Sequence, residues 1–364
     1  MTKIALVHDW LNQRGGAEDV LETLVEMCPE SPVFTSIYWE EVMPETYRSW
    51  DIRTSFMNRL PLVKSHHQSY LPFYPRAFKS MDLSQYDLIL SNKSGFCHGV
   101  NAGPDAVHVC YCLTPTRFLW EFERYALREG LNSFTRAALK PILHFLRQWD
   151  KSAADRVDHF IAISSEVQRR IKDIYQRESA IIYPPVDMTR FEPSNKLDDF
   201  YLVVSRLVPY KRIDLAVKAL SHLDRPLLVA GEGRDKPRLQ EMAGPNVTFL
   251  GRVEDEEVAD LMSRCRVFLF PGVDDFGITP VQAMAAGRPV VAFAGGGALD
   301  TVIDGETGVL FNETEPQALA SAIQQLDNIQ LDVKRIRQHA ELFSKLVFEE
   351  KLSQYIGRVL EGKV

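Results

Sequence analysis

The sequence predicts an α/β protein built of two Rossmann-like domains with parallel sheets, facing each other across a cleft. Three observations carry that expectation. Short apolar runs alternate with amphipathic helical stretches, which implies parallel sheets with helices on both faces. The alternation runs through the first half and restarts after residue 196. A chain of 364 residues is also longer than one hydrophobic core usually serves.

Taken in order, KIALVHDW reads as a strand, RGGAE as a turn, and AEDVLETLVEM as a helix whose Val20, Leu21, Leu24 and Val25 share one face. Further strands are expected at 86–92, 106–112 and 158–164. The stretch 183–199 holds three prolines and many polar residues and is the best linker, which places the domains at 1–190 and 191–364. Beyond it come strands at 200–205, 226–231, 246–251, 266–270 and 288–293, with a helix from Arg212 to Leu220. In DDFGITPVQAMAAGRPVVAF (274–293) an Ala-rich helix over 279–286 ends at Gly287 and feeds the last of these strands.

Composition narrows the function. A net charge of -7 argues against a nucleic-acid partner. Five cysteines without a C-x-x-C pair read as free thiols of a reducing compartment, with Cys110 and Cys112 packed on one face of a strand. The N-terminus has too short an apolar run for a signal peptide, and nowhere do 18 apolar residues run together. The expected location is the cytoplasm.

Ligands of doubly wound sheets sit at the carboxyl ends of the strands. The residues just after each expected strand are Gly15 and Gly16, then Arg206 and Lys211, Gly231, Arg252 and Val253, and Asp274 to Gly277. Gly277, Ile278 and Thr279 would open a helix whose unpaired amides suit a phosphate, with Arg206 and Lys211 within reach from the neighbouring loop. Other matches fail. Gly231-Glu-Gly lacks the third glycine of the dinucleotide fingerprint, and GRVLEGKV at 357–364 has Val364 where a phosphate loop needs Ser or Thr. No H-E-x-x-H, G-x-S-x-G or Asp-x-Asp occurs, so no metal site is expected.

These motifs together resemble the retaining glycosyltransferases of family 4, which have the GT-B fold, and the likeness runs nearly end to end. RGGAE is similar to that family's first glycine turn, SRLVPYK to its Arg and Lys pair, GEG to its second glycine turn, FLGRV to its base-contacting loop, and DDFGITPVQAMAAGRPVVA to its acidic motif. IAISSEVQRRIKDIYQRESAIIYPPVD and YCLTPTRFLWE resemble most the mannosyltransferase branch of bacterial surface-polysaccharide assembly. The resemblance implies an N-terminal acceptor-binding domain and a C-terminal nucleotide-sugar domain. The last helix, about 346–361, then crosses back to the first.

The activity so implied is transfer of a hexose, with retention, to a saccharide or lipid-linked acceptor in surface polysaccharide or glycolipid synthesis. GDP-mannose is the favoured donor, and neither metal nor cofactor is implied. Arg206, Lys211 and Asp274 would be catalytic. The donor site would add Gly15, Gly16, Gly231, Arg252, Val253, Phe276, Gly277, Ile278, Thr279 and Gln282. His98 and Arg117 are the acceptor candidates.

The chain also departs from the family. Asp274, Gln282 and Asp300 stand where Glu is usual, and Leu113 and Ser94 where the polysaccharide branch tends to have His. The open alternatives are a UDP-sugar-dependent relative, a degenerate nucleotide-sugar-binding protein without catalysis, another GT-B enzyme such as an epimerase or phosphorylase, and, remotely, a dehydrogenase. Finally, residues 52–81 contain no Asp or Glu but interleave Arg53, Arg59, Lys64, Arg76 and Lys79 with Phe56, Tyr70, Phe73, Tyr74 and Phe78. That composition suits an anionic membrane surface, and 131–149 suits an amphipathic helix beside it. The competing reading is a loop that packs its aromatics inward.

Overall fold

The computed structural model describes residues 2–123, 126 and 132–363. Leu131 and Val364, which enter the sequence readings above, lie outside the described residues. Among the described residues, β1 (Ile4–His8), β2 (Val33–Thr35), β3 (Ile52–Thr54), β4 (Leu88–Lys93), β5 (Val107–Cys112), β6 (His159–Ala162) and β7 (Ser179–Ile181) form one sheet. Its order is β3-β2-β1-β4-β5-β6-β7, and every pairing is parallel. The second sheet comprises β8 (Tyr201–Val204), β9 (Leu227–Ala230), β10 (Val247–Gly251), β11 (Val267–Phe270), β12 (Val290–Phe293) and β13 (Gly308–Phe311). Its order is β10-β9-β8-β11-β12-β13, again all parallel.

The helices form where the apolar period places them. The helix Gly16–Met27 buries Val20, Leu21, Leu24 and Val25, the face expected from their spacing. Burying each such side chain is worth roughly 1.5–3 kcal/mol, which is what fixes this helix to the sheet. The helix Ile278–Ala285 ends as a glycine stop: Gly287 has φ +72, its N–H donates to Met284 O, and Arg288 N–H donates to Ala283 O. Those two bonds satisfy carbonyls that the helix end would leave open.

The strands at 33–35, 52–54, 179–181 and 308–311 have no counterpart among the strands placed from the sequence; the first three, at three residues each, are too short to show a period.

The chain divides into two compact units, residues 1–183 with 349–364, and residues 184–348. The division falls before the 190/191 boundary read from the sequence, because residues 184–191 are tied to the second unit. Val186 N–H donates to Phe343 O, and Arg337 Nη1 donates to Phe191 O at 2.7 Å. The helix Lys345–Leu360 belongs to the first unit from residue 349 on, where its Tyr355 and Lys351 lie against His159 and Tyr183. No described helix is long and apolar enough to cross a membrane.

Candidate active site

In the second sheet, chain order reverses at β8, which pairs with β9 on one side and β11 on the other. Loops leaving the carboxyl ends of two such strands diverge and leave a crevice, the standard place for a ligand. Arg206 and Lys211 leave β8, and Asp274 leaves β11. The Lys211 ammonium forms an ion pair with Asp274 Oδ2, both side chains only partly exposed. Arg206 is exposed, and its Nη2 donates to Tyr210 OH at 3.2 Å. The Tyr210 ring also lies 5.6 Å from Lys211 Nζ. One tyrosine therefore touches both cations, a role the sequence reading did not give it.

The loops around this pair are laced together by backbone. Gly231 N–H donates to Gly251 O (2.7 Å), Leu207 N–H to Glu232 O (2.9 Å), and Gly297 N–H to Asp274 O (2.9 Å). Such contact requires glycine. A β-carbon at 272 would stand 2.6 Å from the Lys211 carbonyl oxygen, and one at 231 would stand 1.9 Å from that of Ser205. Gly272 thus lets the Lys211 backbone lie on the loop that carries Asp274. It was missed in the sequence, although a Pro-Gly step straight after an apolar strand marks such a turn.

Gly277 caps the helix Ile278–Ala285 with φ +88, a left-handed conformation that glycine adopts without cost. Phe276 is buried, while Ile278, Thr279 and Gln282 are half-buried on the opening turns. Gly231 is held against the β8 loop, Arg252 is exposed after β10, and Val253 is half-buried beside it. The second-unit candidates therefore sit on the loops that follow strands of one sheet and on the helix Ile278–Ala285 that one of them opens. Among the described residues, no cluster of three or more His, Cys, Asp or Glu could hold a metal ion.

The first sheet reverses order at β1, which pairs with β2 and β4. Here Asp9 follows β1 and is fully buried. Its Oδ2 accepts the N–H groups of Ser94 (2.7 Å) and Gly95 (2.6 Å), and its Oδ1 those of Phe96 (2.5 Å) and Cys97 (2.8 Å). His8 and Glu18, both buried, meet at 3.2 Å beside the Gly15-Gly16 turn. Gly15 has no such steric need: a β-carbon there would meet only Glu18 Oε2, at 3.6 Å.

His98 is not where an acceptor ligand should be. It is 0% exposed, with Nε2 3.2 Å from Asp150 O. Burial, aided by the Lys93 cation, pushes its pKa well below the ordinary imidazole range. It belongs to a buried charged cluster. Asp150 accepts from Thr116 Oγ1 (3.0 Å), Trp120 Nε1 (2.7 Å) and Tyr175 OH (2.7 Å). Lys93 Nζ donates to Thr114 O and Thr116 Oγ1. Burial alone would lower the Lys93 pKa, but Asp150 and its other neighbours hold it above the ordinary value. His98 is therefore core, because its ring has no route to solvent. Arg117 opens the short helix Arg117–Trp120 and is half-buried.

Comparison with known proteins follows this geometry. A family model described as Glycosyltransferase Family 4 matches residues 14–190, and one described as Glycosyl transferases group 1 matches 187–343. A GDP-mannose-dependent alpha-(1-6)-phosphatidylinositol monomannoside mannosyltransferase of Mycolicibacterium smegmatis is 34% identical over 170 residues, 38% of this chain and 44% of that one. The chain spans between 44% and 62% of the length of the curated relatives it matches most strongly. Among solved structures, sucrose-phosphate synthase from Thermosynechococcus elongatus aligns with a TM-score of 0.75 at 20% identity, covering 99% of this chain and 100% of that one. HepE of Anabaena in complex with UDP aligns with a TM-score of 0.72 at 18% identity, covering 98% and 99%. Two glycosyltransferase family models thus match adjoining parts of the chain, together residues 14–343, and the fold shared with solved structures along its length is the GT-B fold.

Proposed function

We propose that the protein is a retaining hexosyltransferase. It moves mannose from GDP-mannose to a saccharide or lipid-linked saccharide in cell-surface polysaccharide or glycolipid synthesis, working in the cytoplasm. The observation that carries this reading is the Lys211–Asp274 pair at the switch point of the second sheet, beside the start of the helix Ile278–Ala285. A distal phosphate seated on the amides of Gly277 to Thr279 takes up the ammonium of Lys211. Asp274, relieved of that pairing, accepts hydrogen bonds from the sugar hydroxyls. Arg206 meets the same diphosphate from the loop after β8, and Gln282 holds the ribose.

As the bond from the anomeric carbon to the phosphate oxygen breaks, negative charge grows on the diphosphate. Fixed cations stabilise that charge more than they stabilise the bound donor, which is the condition for catalysis. The departing oxygen then accepts the acceptor hydroxyl's proton, and the new glycosidic bond forms on the face it leaves. This route needs no histidine, in keeping with the burial of His98. Arg206 and Lys211 supply the positive charge, so transfer is expected to survive excess EDTA. Complete loss, restored by Mg²⁺ or Mn²⁺, would overturn that part.

GDP-mannose is favoured by the name of the Mycolicibacterium relative. A UDP-sugar donor is favoured instead by the UDP bound to HepE. Thermal shift against GDP, UDP, ADP and their sugars, followed by donor hydrolysis, decides between them. GDP and GDP-mannose should stabilise the protein most. A larger shift with UDP makes the donor a UDP-sugar, binding without hydrolysis or transfer makes the protein a non-catalytic binder, and no shift with any of them removes the donor site.

A further inference from the structure

The acid-free segment between β3 and β4 sorts its aromatics into two sets. Tyr74 and Phe78 are fully buried with Met57, Val63 and Ala77, so for them the inward-packing reading holds. Phe56 and Phe73 remain 38% and 46% exposed, and Leu62 is 73% exposed. Leu62 also has φ +54, a left-handed conformation unfavourable for a bulky residue. The turn around it is held in place. Tyr70 OH donates to Pro61 O at 2.7 Å, His66 N–H donates to Leu62 O at 2.9 Å, and the Tyr70 and Phe73 rings lie 6.0 Å apart. The protein thus maintains an unfavourable backbone conformation and leaves the apolar side chain in water.

The cations divide in the same way. Arg53 is held by Asp51 and Tyr86, and Lys64 by Glu41. Arg59, Arg76 and Lys79 are exposed, and no acidic partner reaches them among the described residues. In a chain of net charge -7, this is a local reversal of sign. The inner side of the segment rests on the loop after β1. The Trp10 ring lies 4.9 Å from that of His67 and 5.7 Å from that of Tyr74, and Asn12 Nδ2 donates to Lys64 O at 2.9 Å. That loop leaves the carboxyl edge of the first sheet and leads into the Gly15-Gly16 turn.

We propose that Leu62 and Phe73, with Phe56, form a wedge that enters the headgroup region of an anionic bilayer, while Arg59, Arg76 and Lys79 meet the lipid phosphates. Apolar side chains gain by leaving water and each cation gains near anionic headgroups, so the two sets act together. The inference rests on the transferase reading for its purpose, which is to bring the carboxyl edge of the first unit to a lipid-linked acceptor. It does not rest on that reading for its test. Leu342, 54% exposed in the second unit, serves as the control.

The test is sedimentation of the full chain with vesicles of equal parts phosphatidylcholine and phosphatidylglycerol, against phosphatidylcholine alone. Binding is expected only to the anionic vesicles, and weakened by salt. Leu62→Ser with Phe73→Ser should weaken it on the order of tenfold or more, and Arg59→Ser, Arg76→Ser and Lys79→Ser together by a similar factor. Leu342→Ser should leave it within about twofold, as substitutions outside a contact do. A tryptophan introduced as Leu62→Trp should be quenched by brominated lipid. The far-UV circular dichroism spectrum, expected unchanged in every variant, shows that each is folded without reference to the donor. Absence of binding at low salt, or equal binding by wild type and both sets of variants, overturns the proposal. So does a wild-type dimer that Leu62→Ser with Phe73→Ser converts to monomer without any vesicle binding, since the wedge would then seat a second copy.

Discussion

The two units place a carboxylate at the same topological point and use it in opposite ways. Each sheet reverses order beside its first strand, β1 or β8, and each puts an aspartate on a loop at that crevice. In the second unit Asp274 is partly exposed and faces one cation, Lys211. In the first unit Asp9 is fully buried and saturated by four backbone N–H groups. One carboxylate is left half in water beside a cation, and the other is taken up by the protein's own backbone. The same division runs through the neighbouring charges, since Lys93, Asp150, His8 and Glu18 are all buried and paired. The first unit uses these polar groups to fix loops, and the second leaves Asp274 and Lys211 partly exposed.

If that contrast is right, breaking the first carboxylate damages folding and breaking the second damages turnover. The largest effect is expected from Asp9→Ala, which strands four N–H groups, three of them buried. Leaving buried donors unmet costs about 1–3 kcal/mol each where nothing relaxes, so a net loss on the order of 4 kcal/mol is expected. Urea unfolding followed by a first-unit probe such as Trp149 should show it. A midpoint close to that of the wild type would mean that the loop 94–97 does not depend on Asp9.

The mirror experiment is Lys211→Ala. Turnover should fall by on the order of a hundredfold or more, the usual cost of removing a preorganised charge partner. Stability should fall less than in Asp9→Ala, because Asp274 keeps part of its side chain in water once its partner is gone. Asp274→Asn should behave alike. Full turnover in Lys211→Ala would remove the electrostatic role at the switch point.

A third test uses pH. His108 is buried between the sheet strands, with Nε2 2.9 Å from Ser91 Oγ, and burial lowers its pKa from 6.5 to about 4. The unfolded chain therefore binds a proton that the folded chain refuses. Stability from the neutral ring is complete above pH 6.5 and is lost as pH falls towards 4. At pH 5 the loss should reach about 2 kcal/mol. His98, whose pKa burial also lowers, adds in the same direction. In His108→Gln the slope between pH 7 and pH 5 should flatten; an unchanged slope would assign the acid sensitivity to other groups.

The same contrast explains what could be read from the sequence. Arg206, Lys211 and Asp274 stand directly after strands of clear apolar period, so alternation located them without a structure. Gly272 and Tyr210 were overlooked because their meaning lies in what each touches across the crevice. In the first unit the decisive contacts join Asp9 to 94–97, and Lys93 and His98 to Asp150, across long sequence separations that no local pattern encodes. Lys93 carries no signal in LILSNK, and His98 is a candidate by residue type alone, because burial is invisible in a short window. In 52–81 the composition was legible, but the structure was needed to separate buried Tyr74 and Phe78 from exposed Phe73 and Leu62.

The smallest effect should come from Gln282→Glu, and its smallness is the test. Gln282 is half-buried on the helix Ile278–Ala285, a turn beyond the amides proposed to hold phosphate. A ribose diol offers two donors. Glutamine accepts from one and turns its amide to the other, whereas a carboxylate accepts from both with charge-assisted bonds. The gain is opposed by one more negative charge near Asp274 and the donor diphosphate, which Lys211 and Arg206 partly offset. The ribose keeps its place as the sugar departs, so this contact should be equal in ground and transition states. A change in such uniform binding moves KM and leaves kcat alone. The donor KM should therefore shift by less than about fivefold in either direction, with kcat unchanged. Loss of donor binding would show that residue 282 does not face the ribose. A fall in kcat at constant KM would place it at the reacting sugar instead, extending the ligand-ready edge of the second unit one turn further along the helix.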